Sequence, residues 1–248
     1  MKDYILETCI DSVESALAAE RGGANRLEMC GNLVIGGTTP SPELFKEVRR
    51  RCGIRIHVLL RPRFGDFCYT DSEFCILKEE VKLFRELGAD GVVIGILKPD
   101  GTLNMEQMQA LMEEKGGMSV TLHRAFDVCR DPYEALEQAK ELGIHTILTS
   151  GQANSCLAGR ELLADLVRLA AGEIDILVGS GVDAAAIREL YPQVKAHSYH
   201  MSGKVTLDSA MTYRKEGVNM GLPSLSEFEI WKTSEEKIRE AAEVLRKL

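Results

Sequence analysis

The chain has 248 residues, 45% of them hydrophobic and 27% charged, the composition of an ordinary soluble globular protein. A formal net charge of -8 and a pI near 5.3 leave no overall basic face for nucleic acid, whose phosphates must be neutralised by cations. No apolar run approaches the ~20 residues that span a bilayer, and Met1-Lys2-Asp3-Tyr4 leads into a strand pattern without a signal-peptide core, so a cytoplasmic protein with no membrane partner is expected.

Strand-like and helix-like segments then alternate. Residues 4–10 read as a strand, and 12–21 as a helix with Asp11 and Ser12 as caps and Gly22-Gly23 as its exit. A strand at 26–30 is followed by the loop Gly36-Gly37-Thr38-Thr39-Pro40-Ser41-Pro42 and a helix over 43–52. The strand 55–60 precedes a long amphipathic helix, 72–87, and the strand 91–97 precedes the helix 105–115. Residues 120–123 lead to a helix over 132–142, with Asp131 as cap, Pro132 in its first turn and Gly143 as its stop. The pairs 146–149 with 159–171 and 175–178 with 183–191 follow, then a last strand at 195–198 and a last helix at 235–248.

Eight such units predict a parallel sheet buried on both faces. An open doubly wound sheet is one solution, but eight units in ~250 residues are the size of a closed (β/α)8 TIM barrel. No linker divides the chain, so one domain over residues 1–248 is the expectation. The irregular piece is the long segment 201–233, which at that length reads as a lid, a subunit contact or a site element.

In such barrels the site lies at the C-terminal ends of the strands. Two charged clusters fall there, Arg61-Pro62-Arg63-Phe64-Gly65-Asp66-Phe67 and His123-Arg124-Ala125-Phe126-Asp127. Arg is a planar fork suited to carboxylate or phosphate, and His123 beside Glu28 or Asp127 suits general acid/base work. Glu28, Arg61, His123 and Asp127 are therefore candidate catalytic residues. Glu7, Arg63, Asp66, Thr149, Ser150, Gly151, Gly179, Gly181, His197 and Ser198 are candidate ligand-binding residues at the same strand ends. Thr149-Ser150-Gly151 and Gly179-Ser180-Gly181 offer small residues and free backbone N–H groups, which suggests an anion.

Seven cysteines with no C-x-x-C pair argue against a disulfide framework or a structural zinc site. Strand alternation puts Glu7 with Cys9 on one face, and Glu28 with Cys30 on one face, of neighbouring strands. Cys9 and Cys30 are thus the candidate pair of soft ligands for copper(I).

Glu28-Met29-Cys30, Gly36-Gly37-Thr38-Thr39-Pro40-Ser41, Arg61-Pro62-Arg63-Phe64-Gly65-Asp66-Phe67-Cys68-Tyr69, Thr121-Leu122-His123-Arg124-Ala125-Phe126-Asp127, Leu148-Thr149-Ser150-Gly151 and His197-Ser198 together resemble the CutC family of copper homeostasis proteins. The resemblance runs from Tyr4 to about Asn219 and departs at Met29, Phe64 and Tyr199-His200. It implies a TIM barrel in the cytoplasm, a homo-oligomer (dimer or tetramer), and a part in copper handling. The residues themselves leave two readings open: a copper(I)-binding protein, or a barrel enzyme acting on a small phosphorylated or carboxylated molecule. Fixed cations such as Arg61 oppose a metal cation and favour an anion.

Overall fold

In the computed structural model, which describes residues 4–215, 217, 218, 220, 221 and 225–248, eight parallel strands close into a barrel in chain order. Strand β1 (Ile5–Ile10) leads into α1 (Val13–Gly22), β2 (Arg26–Met29) into α2 (Pro42–Arg51), β3 (Arg55–Leu59) into α3 (Asp71–Glu86) and β4 (Gly91–Ile94) into α4 (Met105–Glu114). Next come β5 (Ser119–Leu122), α5 (Pro132–Glu141), β6 (Thr146–Thr149), α6 (Arg160–Ala170), β7 (Asp175–Val178), α7 (Ala184–Val194) and β8 (Ser198–Met201). An antiparallel pair, β9 (Lys204–Asp208) and β10 (Glu229–Thr233), precedes α8 (Glu235–Leu245).

Local chemistry sets the corners. Ser12, Ser41, Asp131 and Asp183 each accept a backbone N–H at a helix start, and Thr70 with Glu73 forms a capping box at α3. Gly23 ends α1 at φ 99°, in the left-handed region where a Cβ is costly. Outward strand residues such as Leu6, Leu27, Ile56, Val58, Val92 and Val120 pack with helix residues including Val48 and Phe84 in one apolar core. Each such side chain contributes about 1.5–3 kcal/mol on burial.

With the outer face given to packing, the inner face carries the polar groups. The register sets Glu7 level with both Arg26 of β2 and His200 of β8, and sets Cys9 level with Glu28. Because strand side chains alternate, these groups meet inside the barrel, on its β8-β1-β2 side.

Two expectations need correction. The last barrel strand is Ser198–Met201, not 195–198, because α7 runs on to Val194. His197 therefore precedes the strand and Ser198 opens it, level with Ile5, so both lie at the N-terminal end and neither reaches the mouth. Second, the segment 201–233 is not one irregular loop, since it carries β9 and β10; its residues 216, 219 and 222–224 lie outside the described residues. The Thr233 N–H donates to Ser15 Oγ at 3.2 Å, and Lys232 pairs with Glu14 at 3.2 Å. These contacts strap the hairpin to the start of α1, beside the C-terminal ends of the strands.

Candidate functional site

A buried chain of charges runs across β8, β1 and β2. Glu7 Oε2 accepts from Arg26 Nε, and Glu7 Oε1 lies 2.8 Å from His200 Nδ1. His200 Nε2 faces Glu28 Oε2 at 3.8 Å. Cys9 Sγ, a Glu28 oxygen and a His200 ring nitrogen all lie within 4.8 Å of one another. Cys30 Sγ donates to Glu28 Oε2 at 3.5 Å and packs with Cys9, Leu59 and Val93.

Burial alone would raise the Glu7 carboxyl, but Arg26 and His200 outweigh it and hold Glu7 well below the usual carboxylate range. Burial likewise opposes charge on His200, yet Cys9, Glu7 and Glu28 around the ring hold it well above the ordinary imidazole value. Glu28 is raised by burial. The Cys30 thiol is pushed well up, by burial and then by Glu28. A carboxylate on Nδ1 fixes the ring and leaves Nε2 as the ligating atom, the arrangement metal-binding histidines commonly show.

Above this cluster a cavity of about 620 Å3 opens into the barrel mouth. Its floor includes Cys9, Glu28 and His200; Arg61, Phe67 and His123 line one wall; Lys204, Trp231 and Lys232 of the hairpin border it too. Arg61 and His123 both pack on Phe67, the guanidinium carbon 4.9 Å and the imidazole 4.7 Å from its ring centre.

Neither Arg61 nor His123 has the carboxylate partner expected for it. Arg61 donates to the carbonyls of Gly36, Gly37 and Gly65, at 3.4, 3.2 and 2.7 Å. His123 Nδ1 accepts the Ala125 N–H at 3.1 Å, so the neutral ring carries its proton on Nε2. Burial, then Arg61, pushes His123 down to about 3. A ring that resists protonation this strongly is a weak base at neutral pH, and no carboxylate among the described residues orients it. Glu28 instead belongs to the His200 cluster.

Asp127 overturns the expected anion cradle at the end of β6. Its carboxylate accepts from the backbone N–H groups of Ser150 and Gln152, from Thr149 Oγ1 and Ser150 Oγ, and from Arg124 Nε. The Gly151 N–H is taken by Thr149 Oγ1 at 2.9 Å. These N–H groups are thus satisfied within the protein, Ser150 and Gln152 by the Asp127 carboxylate and Gly151 by a hydroxyl, and Thr149, Ser150 and Gly151 build a closed turn.

The other expected ligand residues divide. Gly181 lines the cavity at φ 75°. Gly179 donates to the Thr149 carbonyl, and a Cβ there would stand 2.7 Å from Leu148 Cδ1. Arg63 pairs with Asp66 at 2.9 Å and Glu73 at 2.6 Å, outside the cavity lining. Sequence reasoning missed His200 and Arg26. The alternation that placed Glu7 inward also places His200, once β8 starts at Ser198.

The CutC family model matches residues 4–205. The chain is 42% identical to the family protein CutC of Bacteroides fragilis over 245 residues, 98% of each chain. It is 40% identical to the human protein named copper homeostasis protein cutC homolog, over 95% of this chain and 87% of that one. Among solved structures, a CutC protein of Streptococcus agalactiae superposes with a TM-score of 0.77 at 30% identity, over 81% of this chain and 99% of that one. More distant barrels, such as a Pyrococcus furiosus thiamine phosphate pyrophosphorylase at 15% identity and a TM-score of 0.59, share the fold alone.

Proposed function

This chain belongs to the CutC family, and from that premise we propose that it serves copper homeostasis by binding one copper(I) ion on Cys9 and His200, with Glu28 closing the site. The names of the human and streptococcal relatives support the copper reading. The observation that carries it is the meeting of Cys9, Glu28 and His200 within 4.8 Å at the cavity floor, with Glu7 holding the far side of the imidazole.

The donor set suits the ion. A soft sulfur and an imidazole nitrogen are ligands copper(I) accepts, and the carboxylate offsets the cationic charge. Ligation takes the place of the proton on His200 Nε2, so uptake of metal releases protons. Cys30, whose thiol is held protonated and donates to Glu28, supports the site without ligating. Seven free cysteines suit a reducing, cytoplasmic compartment. Exposed Leu207, Met211, Tyr213 and Met220 around the hairpin support self-association of the chain.

Competition with a coloured copper(I) chelator tests the site. The parent should withdraw one equivalent, and Cys9→Ser and His200→Ala should each weaken binding by at least about tenfold, with Cys30→Ser much milder. If Cys9→Ser and His200→Ala held copper(I) as tightly as the parent, the assignment would fail.

A further inference from the structure

A metal ion at the floor leaves most of the cavity unexplained. About 620 Å3 is many times the ~30 Å3 share of a water molecule and falls within the ~300–1,000 Å3 of small-molecule sites. We infer that the upper cavity is a second site, for a small organic molecule with one anionic head, carboxylate or phosphate, held by Arg61 and His123, and an apolar body.

The charges around the cavity single out Arg61. Arg124 is committed to Asp127 and Lys232 to Glu14, while Lys204 lies over the face of Trp231, 3.5 Å from its centre. Arg61 is 8% exposed, makes no ion pair among the described residues, and has a buried Nε without a partner. A buried guanidinium whose hydrogen bonds go to neutral carbonyls keeps its attraction for an anion. Beside it, on the same Phe67 ring, His123 is 4% exposed and its buried Nε2–H also lacks a partner among the described residues. A guanidinium and a neutral imidazole N–H together suit one oxyanion head.

Opposing charge is confined. The lining carboxylates are Glu28, at the floor with His200, and Asp11, which accepts from the Leu33 N–H at 3.4 Å. Between floor and hairpin the wall includes Leu33, Leu148 and Phe67, which suits an apolar body. The site rests on none of the copper ligands, so it stands or falls separately from the copper reading.

Trp231 lines the cavity and is the chain's single tryptophan, so its fluorescence reports filling. Metal-free protein, kept with a copper chelator, is titrated with phenyl phosphate, benzoate and the neutral benzyl alcohol, against sodium chloride of equal ionic strength. One of the two anions should change the fluorescence and raise the melting temperature, with a Kd near about 1 mM for so small a probe, while benzyl alcohol does neither. Which anion binds more tightly identifies the head group. Arg61→Gln should weaken binding by about tenfold or more, Arg61→Lys by less, and His123→Gln by about threefold. Because Arg61 also ties three loop carbonyls, Leu148→Trp provides a second arm, read by melting temperature alone because it adds a second indole: it fills the cavity with Arg61 intact and should abolish the anion-induced rise. Equal binding of benzyl alcohol, unchanged affinity in folded Arg61→Gln or in Leu148→Trp, or no anion-specific response up to about 20 mM would each overturn the site.

Discussion

Glu7→Gln strikes the buried charge chain at its centre. Glu7 is 0% and Arg26 5% exposed, so neither charge recovers solvation when its partner is lost. Glutamine keeps the shape and one acceptor but removes the countercharge from Arg26, whose Nη2 already lacks a hydrogen-bond partner among the described residues. Breaking one side of a buried ion pair costs about 3–5 kcal/mol. At about 2–4 °C per kcal/mol for a chain of this size, the melting temperature should fall by about 6–20 °C. Urea unfolding followed by circular dichroism, with the slope checked against the parent, gives the free energy directly. The double variant Glu7→Leu with Arg26→Met replaces both charges by apolar groups and should recover much of the loss. A loss under about 1 kcal/mol for Glu7→Gln, or a double variant no more stable than Glu7→Gln, would refute a mutually dependent pair.

Two further outcomes follow from the wall of the cavity. His123 has a folded value of about 3 against an ordinary 6.5, so the unfolded chain takes up a proton that the folded one refuses. Its contribution is full above pH 6.5 and is lost as pH falls toward 3; between pH 7 and 5 it amounts to about 2 kcal/mol, so His123→Gln should lose less stability than the parent over that interval, and equal losses would show that the ring is not held neutral. Asp127→Asn should destabilise by about 2–3 kcal/mol, since it weakens charge-assisted bonds to Arg124 and to the Ser150 and Gln152 backbone; calorimetry showing no change would remove Asp127 from the turn.

The barrel was legible because its rules are local: apolar strands, capped helix starts and glycine exits recur through the chain, and the clusters after β3 and β5 do lie at one end. The pairings inside were harder to read. Arg61 and Asp127 look alike in sequence, as charged residues just past a strand, yet Asp127 is consumed by backbone N–H groups while Arg61 donates to neutral carbonyls and makes no ion pair among the described residues. That difference arises from where the loops fold back, which periodicity does not encode. His200 was lost to a three-residue error in β8: a strand placed at 195–198 leaves it in the loop, whereas the strand Ser198–Met201 puts it level with Glu7. Arg26 stands at a strand's first residue with no mark of its role, and only the β1–β2 register sets it level with Glu7.

The copper(I) site itself is tested most directly by anomalous scattering at the copper edge from crystals loaded with one equivalent of copper(I). A single strong peak is expected at the cavity floor, about 2.0–2.3 Å from both Cys9 Sγ and His200 Nε2, the range of zinc bonds to the same atoms. Copper bound instead at the exposed Cys75, or at Cys30 without His200, would contradict it.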